Sequence, residues 1–164
     1  MWSAKLYVGV ALGCLMATVV TAAKLGDALP DWSVHELEGE VPDLEGKVVM
    51  IDIWASWCAP CKASFPAYGE LQQEWADQGF VIVAISVDRK ARDYTKFLDQ
   101  NQPGFATVRD VNQSLVATLE PPAMPTSFIY GRDGTLRAVH EGYRGNSTIE
   151  TIRADVMPLL EEDN

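Results

Sequence analysis

Two apolar runs of strand length, separated by a segment of helical period, constrain the fold of this 164-residue chain more than any other feature. The runs are residues 48–54 (VVMIDIW) and 80–87 (FVIVAISV), and both are rich in β-branched residues. Such runs are typical of strands covered on both faces. Between them, apolar side chains recur at spacings of three and four, as on one face of a helix. These positions are Phe65, Tyr68, Leu71 and Trp75. The pattern predicts a β-α-β unit.

The chain beyond the second run continues to alternate between helical and extended segments. Three further helices are predicted, each beginning at side chains able to cap its first turn. The caps are Asp88 for a helix over residues 90–100, Asp110 and Gln113 for a helix ending near Leu119, and Ser147 and Glu150 for the last helix. Pro66, inside the first helix, is expected to kink it.

Residues 126–130 and 135–141 are predicted to form a hairpin that turns at residues 131–134 (GRDG). Residues 24–46 are polar and rich in turn signals, and they predict a loose N-terminal extension with one short β-hairpin. The resulting order, β-α-β-α-β-α-β-β-α, predicts an α/β fold in which a central mixed sheet is flanked by helices.

Two cysteines, Cys58 and Cys61, follow the first long strand, at the carboxyl edge where sites form in α/β sheets. If Cys58 caps the helix, Cys61 lies one turn further on the same side, and Pro60 fits the first turn, where its missing N–H costs nothing. Free N–H groups and the helix dipole then favour a thiolate on Cys58. We predict that Cys58 attacks, that Cys61 resolves the mixed disulfide, and that this redox-active pair needs no further cofactor.

A zinc site or a structural crosslink would account for the cysteine pair less well. Zinc needs four ligands, and the only two histidines, His35 and His140, are far apart in the sequence. A purely structural disulfide would close too short a loop to constrain the unfolded chain much. No resident metal is therefore predicted, but the alternative of a chaperone that holds Cu(I) with the two thiolates remains open.

The N-terminus predicts export. Residues 1–23 contain Lys5 and then an uncharged stretch, 6–23, that ends in small residues. This stretch is borderline for spanning a bilayer, so a cleaved signal peptide and a membrane anchor both remain possible. Cys14 is assigned to the apolar stretch rather than to lipidation. We expect residues 24–164 to form the folded domain outside the cytoplasm, in the periplasm or an equivalent compartment, soluble or tethered by residues 6–23.

Charge excludes one class of partner. The formal net charge is −10, whereas nucleic-acid binding normally requires a basic face. With 48% hydrophobic residues the chain can nevertheless build an ordinary core, so disorder is not expected.

The sequence resembles a known family in several separate stretches. Residues 54–62 (WASWCAPCK) resemble the active-site stretch of thioredoxins, and residues 124–126 (MPT) resemble their cis-proline loop. Residues 44–49 (LEGKVV), with the export signal, are similar to the exported TlpA/ResA-like thiol–disulfide oxidoreductases. The resemblance covers about residues 29–160 and implies a thioredoxin fold. It also implies that Pro125 is cis and lies against the cysteine pair.

The resemblance extends to substrate contacts. It implies that the Met124 backbone pairs with an extended substrate, and that Trp57, Pro125 and Thr126 also contribute to substrate binding. Lys62 and Trp57 are expected to shape the local surface and the field at the thiolate.

Asp52 interrupts the first apolar strand, at the position where thioredoxins carry a buried acid. Burial would raise its pKa and let it accept the Cys61 proton, although a solvated acid at the strand end is the alternative. Cytochrome-maturation members of the group often have an acid three residues after the second cysteine, where this chain has Ser64. Specialisation for apocytochrome thiols is therefore not predicted.

The preferred hypothesis is an exported enzyme that reduces or exchanges protein disulfides and is re-reduced by a membrane electron donor. Residues 59 and 60 (AP) supply no histidine to stabilise the thiolate, which favours the reducing direction. A dithiol oxidase that introduces disulfides is the alternative enzyme. A peroxidase is not indicated, because the motif around a peroxidatic cysteine is not found.

Overall fold

The structure is a computed structural model that describes residues 23–162. The predicted signal peptide or anchor, apart from its last residue, and Cys14 lie outside the described residues. Within them, no helix combines the length and apolar character needed to cross a membrane.

The strands of residues 23–162 form one mixed sheet in the order β1-β4-β3-β2-β5-β6. They are β1 (Leu37–Glu38), β2 (Val48–Trp54), β3 (Phe80–Ser86), β4 (Ala106–Asp110), β5 (Thr126–Tyr130) and β6 (Leu136–Glu141). Strands β4, β3 and β2 run parallel, whereas β1, β5 and β6 are antiparallel to their neighbours. The predicted mixed sheet and terminal hairpin are confirmed.

Helices cover both faces of the sheet. They are α1 (Ala59–Trp75), α2 (Ala91–Asn101), α3 (Ser114–Leu119) and α4 (Asn146–Glu161), with short 3-10 turns at Trp32–Val34 and Ala76–Gln78. Helix α1 continues as one element through Pro66. Every residue of β2 is buried, as the largely apolar run predicted.

The alternating side chains of β2 divide the core into two layers. Val48 and Met50 pack with apolar residues of α1 and α4. Val49, Ile51 and Ile53 pack on the opposite face with α3 and with apolar residues of the N-terminal extension. Each fully buried aliphatic side chain of this kind stabilises the fold by about 1.5–3 kcal/mol. The central strand is therefore held from both sides, and its carboxyl end is a rigid support for the cysteine pair.

The N-terminal extension forms no hairpin within residues 24–46, so that prediction is wrong. Strand β1 pairs instead with β4 at the edge of the sheet, with Leu37 opposite Asp110 and Glu38 opposite Arg109. The side chains of Glu38 and Arg109 also form an ion pair of 2.7 Å. Contacts that are distant in sequence thus override the local turn signals.

Two of the three predicted helix caps are wrong, and the cap predicted for α3 is right in part. Helix α2 begins after Lys90, α3 after Gln113 and α4 after Gly145, and none of these residues makes a side-chain cap hydrogen bond. The buried Asp88 carboxylate accepts hydrogen bonds from Ser56 and Ser86 instead of capping α2. The buried Asp110 carboxylate does accept a hydrogen bond of 2.9 Å from the Val116 N–H, in the first turn of α3.

Candidate active site

Cys58 and Cys61 are joined by a disulfide at the start of α1. Cys58 is the N-cap residue of the helix, and its Sγ accepts a hydrogen bond of 3.3 Å from the Cys61 N–H. The predicted cap is confirmed, with a proline in the first turn. Cys58 is 6% exposed and Cys61 is fully buried. The two sulfurs therefore differ in access, and the helix N-terminus faces the outer one.

An aromatic cluster packs in the core beside the disulfide. The Trp54 ring lies 4.8 Å from Phe65 and 4.6 Å from Phe97, measured between centroids, and Phe65 meets Phe97 edge to face. Both cysteines belong to the same buried cluster. Edge-to-face aromatic pairs contribute about 0.5–1.5 kcal/mol beyond their buried area. The cluster fixes the first turn of α1 against β2.

The cis-proline of the resemblance is confirmed, and its loop packs on the cluster that contains the cysteine pair. The Met124–Pro125 peptide bond is cis, and Met124 packs on the cluster that contains Cys58 and Cys61. Among the described residues, no hydrogen bond uses the Met124 N–H or C=O. Thr126 is buried, and its hydroxyl donates a hydrogen bond of 2.8 Å to the Ala123 carbonyl. This hydroxyl therefore stabilises the loop from within.

Trp57 is the exposed aromatic residue beside the pair. Its side chain is 67% exposed, and it lines an open cleft of about 300 Å³ with residues 87–90. The large exposed area makes Trp57 available to a docked polypeptide.

Asp52 is fully buried in β2, so the solvated alternative is excluded. Its Oδ1 accepts a hydrogen bond of 2.7 Å from the Ser127 hydroxyl. Its Oδ2 has no hydrogen-bond partner within the described part of the chain. Burial without full compensation raises the pKa of Asp52 to about 7, against the smaller lowering effect of Ser127. A carboxyl with this pKa can take or release a proton near neutral pH.

Ser127 and Tyr68 extend this polar group, and sequence reasoning missed both. The Tyr68 hydroxyl lies 3.2 Å from the Ser127 Oγ, and both residues are buried. Because Ser127 gives its single proton to Asp52, Tyr68 is the donor to Ser127 when the acid is ionised. Burial, followed by the Asp52 charge, raises the Tyr68 pKa, so this phenol stays protonated. The signal was available in the sequence, because Ser127 directly follows the MPT stretch.

A second buried carboxylate positions the loop before Cys58. Asp88 accepts a hydrogen bond from the Ser56 N–H at 2.9 Å and one from the Ser56 hydroxyl at 2.8 Å. The Ser86 hydroxyl donates to the same carboxylate at 2.8 Å. Asp88, at the end of β3, therefore fixes the chain two residues before the outer cysteine. The sequence pointed to Asp88 as a helix cap, which is a different role.

The sheet, the disulfide at a helix N-terminus, the adjacent cis-proline and the buried acid define a thiol–disulfide oxidoreductase of the thioredoxin fold. A family model for the AhpC/TSA family matches residues 25–139, and the chain belongs to this thioredoxin-like family. In residues 23–162, no group of three or more potential ligands among His, Cys, Asp and Glu could hold a metal ion.

Individual relatives agree with this assignment. The chain is 31% identical over 142 residues to the thiol-disulfide oxidoreductase ResA of Oceanobacillus iheyensis, covering 82% of this chain and 74% of the relative. It is 31% identical to the thioredoxin-like protein YneN of Bacillus subtilis, with 71% of each chain covered. Among solved structures, a candidate thiol:disulfide interchange protein DsbE from Chlorobium tepidum matches with a TM-score of 0.78 and 33% identity. That match covers 85% of this chain and 99% of the other.

Proposed function

We propose that this oxidoreductase reduces or exchanges disulfide bonds of protein substrates outside the cytoplasm, through cycling of Cys58 and Cys61. One observation carries the proposal: the outer sulfur caps α1 and the inner one is buried a turn deeper. An attacking thiolate and a resolving thiol require this difference in environment.

In the first step, the Cys58 thiolate attacks one sulfur of a substrate disulfide. A Cys58–substrate mixed disulfide forms, and the other substrate sulfur leaves as a thiolate that takes up a proton. The N–H groups at the start of α1, including that of Cys61, stabilise the attacking thiolate.

In the second step, Cys61 loses its proton and attacks the Cys58 sulfur. The Cys58–Cys61 disulfide forms, and the substrate leaves with both sulfurs reduced, so two electrons have passed to it. Asp52 is the proposed acceptor of the Cys61 proton, since its pKa of about 7 lets it take up and release a proton near neutral pH. A membrane electron donor would then restore the dithiol.

The substrate is proposed to lie across Trp57 and the cis-proline loop. The Met124 N–H and C=O, to which none of the described residues is hydrogen-bonded, would pair with an extended substrate backbone. Pro125 and Thr126 would hold this loop in shape, since the Thr126 hydroxyl bonds within it.

The direction of electron flow is tested by the redox potential and by paired activity assays. We expect a potential nearer that of thioredoxin, about −270 mV, than that of the oxidant DsbA, about −120 mV. Pre-reduced protein should reduce insulin and should not accelerate the oxidative refolding of a reduced protein. A potential near the oxidant value with active refolding would establish the dithiol oxidase instead.

The roles of the two sulfurs are separated by matched variants. Cys61→Ser should accumulate a mixed disulfide with substrate through Cys58, whereas Cys58→Ser should capture none. Equal capture by both variants would contradict the assigned order. Retention of one equivalent of copper by the reduced protein against a strong Cu(I) chelator, without insulin reduction, would favour the copper chaperone.

A further inference from the structure

We propose that the surface beside the cysteine pair binds an acidic segment of the substrate protein. This basic surface consists of Lys62, Arg89, Lys90 and Lys96. The inference deepens the proposed function, because the segment would belong to the protein whose disulfide is attacked.

Two open clefts place these cations next to the disulfide. The first, of about 300 Å³, is lined by Trp57, Arg89 and Lys90. The second, of about 420 Å³, is lined by Ser56, Lys62 and Lys96. Ser56 and Trp57 immediately precede Cys58, so a polypeptide held at the outer sulfur passes over one or both clefts.

The four cations are available to a partner. All four are exposed, and within residues 23–162 none of them forms an ion pair. An exposed ammonium or guanidinium beside an apolar surface such as Trp57 is well placed to meet a partner carboxylate.

Acidic side chains in the two clefts do not cancel this charge. Asp93 lines both clefts, and its Oδ1 lies 3.7 Å from the Arg92 guanidinium. Asp88 is buried, and its carboxylate is occupied by Ser56 and Ser86. The four cations outnumber Asp88 and Asp93, the two carboxylates that line the clefts, so the net charge of this surface is positive.

The rest of the chain has the opposite character. The whole sequence carries a net charge of −10. Four arginines away from the basic surface are engaged by other groups of the protein: Arg109, Arg137 and Arg153 pair with carboxylates, and Arg132 bonds carbonyl groups. An acidic partner is thus repelled by most of the surface and attracted to the edge that holds the cysteines, which orients the encounter.

The arrangement fits a polypeptide with several carboxylates better than a single small anion. The four cations do not converge on one point, because they come from α1, the β3–α2 loop and α2 and are divided between two clefts. A chain that carries acidic residues on both sides of its cysteine would reach both clefts.

The test compares two disulfide peptides that differ only in four flanking residues, glutamate in one and glutamine in the other. Pre-reduced protein is mixed with each peptide, and its oxidation is followed by tryptophan fluorescence at low and at moderate ionic strength. We expect the acidic peptide to react about 10-fold faster at low ionic strength, with the advantage shrinking as salt screens the charges.

A matched pair of triple variants assigns the effect. Arg89→Gln, Lys90→Gln and Lys96→Gln together should remove most of the preference, while the rate with the neutral peptide is retained. The control removes the same charge elsewhere, through Lys24→Gln, Lys47→Gln and Arg144→Gln, and should keep the preference. Equal loss in both triple variants, or equal rates for the two peptides in the parent protein, would overturn the proposal.

A binding measurement separates this inference from the proposed function. The Cys58→Ser, Cys61→Ser double variant should bind a fluorescent, cysteine-free acidic peptide more tightly than its neutral counterpart. Such binding without any disulfide reduction by the parent protein would refute the proposed function and support the surface. Reduction of both peptides without selective binding would support the proposed function and refute the binding surface. Selective binding to anionic vesicles but not to the acidic peptide would also overturn the proposal, because the surface would then face a membrane.

Discussion

At the scale of single residues, Asp52 connects the stability of the fold with the proposed chemistry. The carboxyl lies in the most buried strand, with one oxygen bonded to Ser127 and the other unpartnered among the described residues. The ionised form is therefore poorly solvated, which raises the Asp52 pKa from 3.8 to about 7. An acid kept in this state costs stability above neutral pH, and its retention there is consistent with the proposed proton transfer.

Asp52→Asn should stabilise the oxidised protein at alkaline pH. The folded pKa is raised, so between about pH 4 and pH 7 the folded state binds more protons than the unfolded state, and unfolding becomes easier as pH rises. The asparagine removes this penalty. We expect a gain in the free energy of unfolding of up to about 4 kcal/mol at pH 8, falling towards zero near pH 4. Denaturant titrations across this range measure it.

Ser127→Ala is the companion variant. It removes the hydrogen bond that lowers the Asp52 pKa, so it should move the alkaline loss of stability to higher pH and deepen it. Ser127→Thr keeps the hydroxyl and should resemble the parent. A gain from Asp52→Asn that is the same at pH 4 and pH 8 would show that ionisation is not the cause.

At the scale of secondary-structure elements, the loop between β2 and α1 is fixed by the end of β3. The Asp88 carboxylate accepts both the main-chain N–H and the hydroxyl of Ser56. Asp88 is itself held by two hydrogen bonds. The Ser86 hydroxyl donates one to its carboxylate, and the Arg109 guanidinium donates one of 3.2 Å to its main-chain carbonyl. The outer cysteine thus follows a loop whose position is set by two parallel strands rather than by the helix alone.

Ser56→Ala should loosen this loop. Loss of a half-buried hydrogen bond to a carboxylate should lower the free energy of unfolding by about 1–3 kcal/mol. Amide hydrogen exchange at Trp57 and Cys58 should also become faster. Ser33→Ala is the control, because the Ser33 hydroxyl bonds Asp31 in an exposed turn, and it should change stability by less than about 0.5 kcal/mol. Equal effects of the two variants would contradict the positioning role of Asp88.

The elements themselves could largely be predicted from the sequence, and the contacts of their ends could not. The period of two or of 3.6 is a local property, so β2, β3, α1 and the terminal hairpin were predicted correctly. The role of Asp88 depends on a distant group, because its carboxylate binds Ser56 of another loop instead of capping the next helix. Asp110, whose donor lies in the first turn of the next helix, is the local case that the sequence could indicate.

The same distinction holds for the site. The cysteine pair and the MPT loop are continuous stretches, so they could be recognised directly. The contact between Asp52 and Ser127 arises because these residues are opposite each other in the antiparallel pairing of β2 and β5. A shift of that register by one residue would turn the serine to the other face. Sequence periodicity alone does not determine such a register.

At the scale of the whole molecule, the N-terminal extension closes one edge and one face of the sheet. Strand β1 covers the β4 edge, and an isolated bridge joins Ala28 to Thr135 near the opposite edge. Leu29, Trp32 and further apolar residues of this extension pack on the core layer that contains α3. The extension is therefore part of the folded domain. It does not cover the carboxyl ends of the central strands, where the cysteines lie.

Glu38→Gln should weaken this closure. Arg109 is 5% exposed at its side chain, and loss of the charged partner leaves a buried guanidinium bonded mainly to carbonyls. We expect a loss in the free energy of unfolding, because the Arg109 side chain stays buried without its charged partner. Glu74→Gln breaks a pair with Arg153 in which both side chains are at least a third exposed, and should cost less than about 1 kcal/mol. A larger loss for Glu74→Gln than for Glu38→Gln would show that burial of the arginine does not decide the cost.

In the proposed cycle, the unequal depth of the two cysteines would determine how a captured partner is released. A substrate joined to Cys58 would shield that sulfur from bulk thiols on its own side, and the first turn of α1 would shield it on the other. The nucleophile able to reach the linkage would then be Cys61, approaching from within the protein. The lifetime of the covalent complex would thus be set by an intramolecular event, independent of how much free thiol surrounds the molecule.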